Sequence, residues 1–238
     1  MSFQPCGADQ TLKNNPPEPT NSLCSHLKEA KCHGMVCPVH THACADTTIA
    51  AGLGLDALEV LLVAHCAPVL AGLKTANLLC VPACRERLLE RAVQGWNERL
   101  NAKGLTVCTL PARGRCTLVY VYRRRRLEED LARPGVGAFL YRHGYGSLCV
   151  GQALRTLAAR MQKKGFPHEI GLFLGYPLED VQGFIDHRGQ HCKCVGCWKV
   201  YGDVQAARRQ FARFDKCRRV YLKCLQNGRS LQQLTVRA

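Results

Sequence analysis

The sequence lacks a long apolar run. Its longest uncharged stretch in the apolar region, residues 60–73, is fourteen residues long and contains His65 and Pro68. A bilayer-spanning helix needs about 20 apolar residues, so this stretch indicates a buried helix instead. The first residues, MSFQPCGADQTLKNN, do not combine a basic segment with an apolar one, as a secretory signal would. We therefore expect a cytoplasmic protein without a membrane span.

Acidic residues are also few, with 18 Asp and Glu against 33 Lys and Arg, giving a formal net charge of +15. From His187 onward the sequence holds twelve Lys and Arg but only two Asp. Such a field favours anionic partners, which include nucleic acids, phosphorylated ligands and acidic proteins. A solvated basic face is the alternative explanation.

Cysteine, by contrast, is abundant, with 16 among the 238 residues. In a small secreted protein this number would indicate a disulfide framework. In the cytosol thiols stay reduced, and a free cysteine is readily buried. We therefore expect most of these sulfur atoms to be apolar atoms of the interior.

The chain divides into three regions by composition. Residues 1–48 contain the PPEP segment and no hydrophobic period, which indicates a flexible extension. Residues 55–228 are predicted to form one domain, and residues 229–238 a tail. The extension also holds a group of possible zinc ligands, although it lacks the paired knuckles of a zinc ribbon. The group consists of Cys32, Cys37, His40 and Cys44.

The predicted fold is α+β, mostly helical, with a small antiparallel-containing sheet of about three strands. β-branched and aromatic residues alternate around a Pro/Gly loop over residues 104–122, which predicts a hairpin. If Thr109 pairs with Arg115, Cys108 lies opposite Cys116. A third, buried strand is expected over residues 76–82.

Helices are predicted from apolar periodicity and from capping residues. The first follows a cap at Asp56 and breaks at Pro68, and the last is capped by Asp203 and ends at Asn227-Gly228. The other predicted helices lie at 85–102, 128–132, 136–143 and 147–163.

The segment 166–189 is the most organised of the chain. Pro167 suits a first helical position, Gly175 a left-handed helix end and Pro177 the next helix start. The spacing predicts two packed helices with a tight turn. A helix-turn-helix over 168–187, which would read nucleic acid together with the basic carboxy-terminal half, is one alternative. Against it, the second helix opens with two carboxylates that would face phosphates.

The stretch HCKCVGCWKVYGD, residues 191–203, raises the possibility of a metal centre. Cys194 and Cys197 have a spacing that lets two thiolates bind one zinc ion or an iron–sulfur cluster. Cys192 would add a third ligand, and either Cys217 or His191 would be the fourth. No second C-x-x-C follows in the chain, so buried thiols remain the simpler interpretation and no cofactor is assigned.

Three blocks, in order, resemble a bacterial family of unknown function numbered 3793. They are HCAPVLAGLKTANLLCV (65–81), FPHEIGLFLGYPLEDVQGFI (166–185) and GCWKVYGD (196–203). The similarity covers about residues 55–225. It implies a cytoplasmic protein of anaerobes with no assigned activity, in a family with some members encoded near flavodoxin or iron-uptake functions.

The resemblance also implies a set of site residues. The family carries an aromatic residue where this chain has Cys197, so the similarity does not extend to a metal site. The positions carried over are His65, Lys74, His168, Glu169, Gly175, Tyr176, Trp198, Lys199 and Tyr201. Together they offer acid–base groups, cations and aromatic faces, which suit an anionic or planar ligand.

Our leading hypothesis is that the protein binds a small anionic ligand or an acidic protein partner in redox or iron-related physiology. The site would lie between the His168 segment and the Trp198 segment. A second hypothesis is an enzyme in which His168 and Glu169 transfer protons while Lys199 holds an anion.

Overall fold

The computed structural model describes residues 57–82, 86–111, 116–163 and 165–237. The predicted extension 1–48, with its possible zinc ligands, and the cap at Asp56 lie outside these ranges.

Helices and short strands alternate along the described chain. The helices are α1 (Ala57–Leu70), α2 (Glu86–Leu100), α3 (Arg124–Leu131), α4 (Val136–Arg142), α5 (Val150–Gln162), α6 (Ile170–Phe173), α7 (Leu178–Asp186), α8 (Val204–Gln226) and α9 (Leu231–Leu234). The strands are β1 (Ala76–Pro82), β2 (Leu105–Leu110), β3 (Cys116–Arg123), β4 (Cys194–Val195) and β5 (Lys199–Val200).

The sheet is antiparallel with the order β1-β3-β2, and β4 and β5 form a separate hairpin. The predicted α+β class is therefore confirmed. The predicted register of the β2–β3 pair is wrong, because Cys108 lies opposite Tyr120, and Cys116 pairs with Pro82 of β1. A shift by an even number of residues leaves every side chain on its own face, so alternation alone does not fix the register.

The two faces of the sheet build two separate cores. Leu79 and Val119 point into one, and Leu78 and Tyr120 point into the other. We call the first the aliphatic layer; it is completed by α1, α2, α9 and the carboxy-terminal end of α8. The second, the aromatic layer, is completed by α3–α7, the β4–β5 hairpin and the amino-terminal part of α8.

Helix α1 continues through Pro68 to Leu70, so the predicted break at Pro68 is wrong. Proline removes one helical hydrogen bond, but α1 ends only two residues later, so little helix remains to be disrupted. The carbonyl of Pro68 still accepts hydrogen bonds from the N–H groups of Leu73 (2.8 Å) and Lys74 (3.1 Å).

A buried arginine donates hydrogen bonds to the buried carbonyls at the end of α1. The guanidinium of Arg123 donates to the carbonyls of Val69 (2.6 Å) and Leu70 (2.7 Å). It also donates to the carbonyl of Val236 at 2.9 Å, which ties the end of the chain to the sheet. A cation is favourable at the negative end of a helix dipole, so Arg123 stabilises α1 where it meets β3.

Residues 229–237, which lie beyond the predicted domain end, pack on the aliphatic layer. Leu231 and Leu234 of α9 are buried, and the N–H of Val236 donates to the carbonyl of Leu70 at 3.0 Å. Ser230 and Gln233 form a capping box at the start of α9.

The long helix α8 begins as predicted. The carboxylate of Asp203 accepts hydrogen bonds from the N–H groups of Gln205 (2.8 Å) and Ala206 (3.0 Å). The helix ends before Gly228, which has a φ of 82°. Helix α3 starts at Arg124, earlier than predicted, because Arg124 and Arg125 form i,i+4 ion pairs with Glu128 and Glu129. Within the described ranges, no helix has the length and apolar character to cross a bilayer.

Candidate functional site

A small cleft opens in the aromatic layer between α6, α7 and β5. The empty space within it, counted together with the solvent in its open mouth, is about 310 Å³. The lining residues are His168, Gly171, Tyr176, Asp180, Val181, Phe184, Trp198 and Lys199. Four residues singled out from the sequence, His168, Tyr176, Trp198 and Lys199, thus meet at one opening.

Aromatic rings form one wall of the cleft. The rings of Tyr176 and Trp198 stack with their centroids 4.7 Å apart. Phe211 of α8 packs edge-on against Trp198 at 4.6 Å, which fixes the indole from the far side. Lys74 places its ammonium 5.3 Å from the centroid of the Tyr176 ring. The wall is therefore closely packed, with only 4% of Trp198 and 8% of Tyr176 exposed.

Asp180 holds this wall in place. Its Oδ2 accepts a hydrogen bond from the indole N–H of Trp198 at 2.7 Å. Its Oδ1 accepts from the backbone N–H groups of Tyr201 (2.7 Å) and Gly202 (2.8 Å). Only 3% of Asp180 is exposed, so these donors replace the water that the carboxylate loses. Asp180 is therefore a positioning residue that ties the β4–β5 hairpin to α7.

The close approach of the hairpin to α7 requires a glycine. A Cβ atom added to Gly183 would lie 2.5 Å from Cγ of Tyr201. The ring of Tyr201 therefore packs directly on the backbone of α7. The hydroxyl of Tyr201 donates to the carbonyl of Gln190 at 2.9 Å, and burial raises the pKa of this phenol.

Two basic side chains flank Phe184 at the mouth of the cleft. The ammonium of Lys199 lies 5.8 Å from the centroid of the Phe184 ring, and the imidazole of His168 lies 4.9 Å from it. Lys199 donates one hydrogen bond, to the carbonyl of Gly189 at 2.7 Å, which leaves two N–H bonds for a ligand.

The loop that supplies the Gly189 carbonyl has an unusual backbone. Arg188 and His191 adopt positive φ angles of 51° and 56°, and Gly189 has a φ of 74°. Non-glycine residues rarely adopt this conformation, and strained segments of this kind cluster at ligand-binding and catalytic sites. The ring of His187 stacks on Tyr201 at 5.7 Å and fixes the loop against the hairpin.

The structure separates Glu169 from His168. Glu169 is 2% exposed, and its Oε1 accepts hydrogen bonds from Arg160, in an ion pair, and from the hydroxyl of Tyr145 at 3.2 Å. Burial raises the pKa of Tyr145. Within the described residues Glu169 does not line the cleft, so the two candidate acid–base groups do not share one site.

His65 and Lys74 lie behind the aromatic wall. The ammonium of Lys74 donates to Oδ1 of Asn77 at 2.8 Å, and the amide of Asn77 donates to the His65 carbonyl at 2.7 Å. Lys74 is buried and reaches Tyr176 from the side of α1 and β1. Lys74 therefore supports the wall, whereas His65 contributes a backbone carbonyl to the network.

The structure does not gather the candidate metal ligands. Cys192, Cys194 and Cys197 are partly buried and Cys217 is buried, all as free thiols. Among the described residues, no three His, Cys, Asp or Glu side chains could hold one metal ion. Burial raises the pKa of Cys197 and Cys217, although Arg218 lowers it in part. A thiol that keeps its proton is a poor metal ligand.

The predicted pair of helices in the segment 166–189 is present, and Gly175 has the expected positive φ of 77°. However, α6 spans only four residues, a single turn. The start of α7 is packed inward, since Asp180 and Val181 are both buried. The recognition helix of a helix-turn-helix would instead present its amino-terminal end to the major groove of DNA.

The sequence profile of the family described as "Protein of unknown function (DUF3793)" matches residues 62–235, which make up most of the chain. The chain belongs to this family. The predicted resemblance is thereby confirmed, and the cleft with all its lining residues lies inside the DUF3793 region. No curated protein and no solved structure is significantly similar to this chain.

Sequence reasoning missed the roles of Asp180 and Phe184. From the sequence, Asp180 is a charge that disfavours DNA binding and suits the positive end of a helix dipole, not an acceptor for the hairpin. Phe184 is not among the residues that the sequence indicates for the site. Neither role has a signal in spacing, because both depend on the hairpin folding back over α7.

Proposed function

We propose that this DUF3793 protein binds a small anionic ligand in the cleft. The apolar part of the ligand would lie against Trp198 and Tyr176, and its acidic group would meet Lys199 and His168 at the mouth. The observation that carries the proposal is the placement of both side chains against the ring of Phe184, which lines the cleft with them. The net charge of +15 would raise the local concentration of anions.

The contacts of Lys199 support an anion rather than a neutral ligand. Its ammonium is only partly buried, and its hydrogen bond to the Gly189 carbonyl fixes its position before a ligand arrives. A preorganised cation loses little side-chain entropy on binding. A charge-assisted hydrogen bond contributes about 1.5–3 kcal/mol, which corresponds to a 10- to 100-fold change in affinity.

The lining supports binding more than acid–base catalysis. Both oxygens of Asp180 already accept hydrogen bonds from Trp198, Tyr201 and Gly202. The carboxylate of Glu169 is bound to Arg160 and Tyr145. A general base must have a lone pair available for the proton that it removes, and both carboxylates already use oxygens to accept these hydrogen bonds.

Calorimetric titration of the full chain tests this proposal. Benzoate and indole-3-acetate are the anionic probes, and benzamide and indole-3-acetamide are their neutral counterparts. We expect saturable binding of at least one acid, at least 10-fold weaker binding of its amide, and a loss of at least 10-fold in Lys199→Met. Lys193→Met is the matched control, because Lys193 lies on the same hairpin but donates to the Gly202 carbonyl outside the cleft lining.

Two results would contradict the proposal. One is equal affinity for the acid and its amide, since the cleft would then be an apolar site without a role for the cations. The other is an equal loss of affinity in Lys199→Met and Lys193→Met, because that would indicate attraction by the net charge alone.

A further inference from the structure

One face of α8 carries a row of six exposed basic side chains, which we call the basic stripe. The stripe consists of Arg208, Arg209, Arg213, Lys216, Arg219 and Lys223. At about 100° per residue, the six fall within roughly 140° of the helix circumference. At 1.5 Å per residue, they extend over about 22 Å along the axis. The stripe is therefore a continuous surface on one side of a rigid rod.

The opposite side of α8 fixes the stripe in space. Ala207, Phe214, Cys217 and Leu225 are buried against the two cores. The helix is also capped at its start by Asp203. Because α8 is anchored along its length, the basic side chains are presented together rather than as independent charges.

Within the described residues the stripe has little compensating negative charge, although the carboxylate of Asp203 lies within electrostatic reach of Arg209. No carboxylate in those ranges forms an ion pair with any of the six, and Asp215, the acidic residue within α8, is paired with Arg218. Like charges three and four residues apart repel each other and weaken a helix. A polyanion bound along the stripe would remove that repulsion.

The composition of the exposed face of α8 distinguishes between two polyanionic partners, an acidic protein and a nucleic acid. Protein interfaces have an apolar core from which charged residues are depleted. The exposed face of α8 offers little apolar surface, chiefly Val220, which is 49% exposed. Binding to the phosphates of nucleic acid needs no apolar core, and it comes mainly from Lys and Arg. Four of the six residues are Arg, whose planar group suits phosphate oxygens.

We propose that the basic stripe of α8 binds the sugar–phosphate backbone of nucleic acid without reading its sequence. Successive basic residues three or four positions apart advance about 4.5–6 Å along the helix, which allows several of them to contact neighbouring phosphates. This surface is independent of the cleft. It also differs from a helix-turn-helix, since it uses the length of α8 rather than the start of α7.

Fluorescence anisotropy with the full chain tests the proposal. The probes are a labelled 20-base-pair DNA duplex, the RNA duplex of the same sequence and a DNA duplex of unrelated sequence, with labelled polyglutamate for comparison. If four to six phosphates are contacted, log K should fall with log salt concentration with a slope of about −3.5 to −5.5. The two DNA sequences should bind equally, and polyglutamate at least 10-fold more weakly.

A pair of matched variants locates the binding surface. Arg213→Gln/Lys216→Gln/Arg219→Gln should weaken duplex binding at least 10-fold in low salt and reduce the magnitude of the salt slope by about 3. The control, Arg125→Gln/Arg142→Gln/Arg155→Gln, removes the same charge from exposed positions on α3, α4 and α5. Circular dichroism should show that both variants keep their helix content.

Three results would overturn the proposal. Equal losses in the two triple variants would mean that net charge, not the stripe, attracts the duplex. Polyglutamate binding as tightly as DNA would favour an acidic protein as the partner. No binding of any duplex at low salt would leave the stripe as a solvated face.

Discussion

The two layers on either side of the sheet differ in chemistry although they share its three strands. The aliphatic layer is filled by Leu, Val and Ala, and Trp96 is the one fully buried aromatic ring that the described residues place there. The aromatic layer contains most of the buried rings and the buried carboxylates of Asp130, Glu169 and Asp180. The cleft described above opens in the aromatic layer.

The difference indicates that the layers stabilise the protein in different ways. Apolar side chains are interchangeable within limits of volume, so the aliphatic layer contributes stability with little directional demand. A buried carboxylate is costly unless donors surround it, so each one in the aromatic layer fixes a particular arrangement of its neighbours. We infer that the aliphatic layer is a scaffold and that the aromatic layer positions the site.

Removing the Asp180 carboxylate should have the largest effect. Asp180→Ala leaves three donors without an acceptor, so we expect a loss of about 4 kcal/mol in the free energy of unfolding. Asp180→Asn should lose roughly half as much, because its Oδ1 still accepts from the two backbone N–H groups. Urea titration followed by circular dichroism measures both. A loss below about 1 kcal/mol in Asp180→Ala would mean that the hairpin is held by packing alone.

A core deletion in the aliphatic layer should cost stability without changing the site. Leu62 is fully buried, so Leu62→Ala should lower the free energy of unfolding by about 3 kcal/mol. The affinity of the folded protein for its anionic probe should stay within about 2-fold of the wild type, since Leu62 is remote from the described lining of the cleft. A parallel loss of affinity would show that the two layers are coupled.

A pair of glycine substitutions compares the layers directly. Gly183→Ala in α7 drives a methyl group into the Tyr201 ring and should destabilise the protein by about 2 kcal/mol. Gly95→Ala in α2 meets no atom within 4 Å and should stabilise it by about 0.5–1 kcal/mol. Thermal unfolding of the two variants gives the sign of each change. A change of stability with the same sign in both variants would mean that the backbone of α7 at Gly183 is packed no more tightly than that of α2 at Gly95.

The smallest effect is expected from pH. Burial raises the pKa of the Cys66 thiol from 9.0 to about 12 and that of Cys108 to about 11. A raised pKa means that the folded state keeps a proton that the unfolded state releases, so stability is full below about pH 9 and falls as pH rises toward 12. Between pH 9 and pH 10, the free energy of unfolding of Cys66→Ala should therefore fall by about 1 kcal/mol less than that of the wild type.

Urea titrations at pH 8, 9 and 10 measure that difference, and Cys149→Ala is the control, because Cys149 is exposed. Identical alkaline slopes for Cys66→Ala, Cys149→Ala and the wild type would show that the Cys66 thiol is not shielded from solvent.

The elements that the sequence predicts well are those set by local chemistry. The Asp203 cap, the apolar stripe of α8 and Gly228 at its end are sufficient to define that helix. The hairpin register was not predictable, because a shift by an even number of residues leaves both faces apolar and the pairing of β3 with β1 decides between the registers. The break predicted at Pro68 was wrong, because a proline disrupts little when the helix ends only two residues later.

The candidate site was predictable only in part. Trp198, Lys199 and His168 are implied by the resemblance to the family, and all three line the cleft. The carboxyl group of Glu169 has the chemistry of a catalytic acid, but it forms an ion pair with Arg160, which lies nine residues earlier in the chain. Such a partner is invisible without the packing of α5 against α6. Asp180 likewise gains its role only when the hairpin folds onto α7.

The measurement that most directly tests the site in the aromatic layer is the fluorescence of Trp198 during titration with benzoate, which contains no indole of its own. In the Trp96→Phe protein Trp198 is the sole indole of the protein, because the sequence contains two Trp. We expect a saturable change in its emission. Adding Lys199→Met should raise the ligand concentration at half-saturation at least 10-fold, and adding Lys193→Met should leave it unchanged. Binding detected by calorimetry without any change in Trp198 emission would contradict the assignment of the ligand to this cleft.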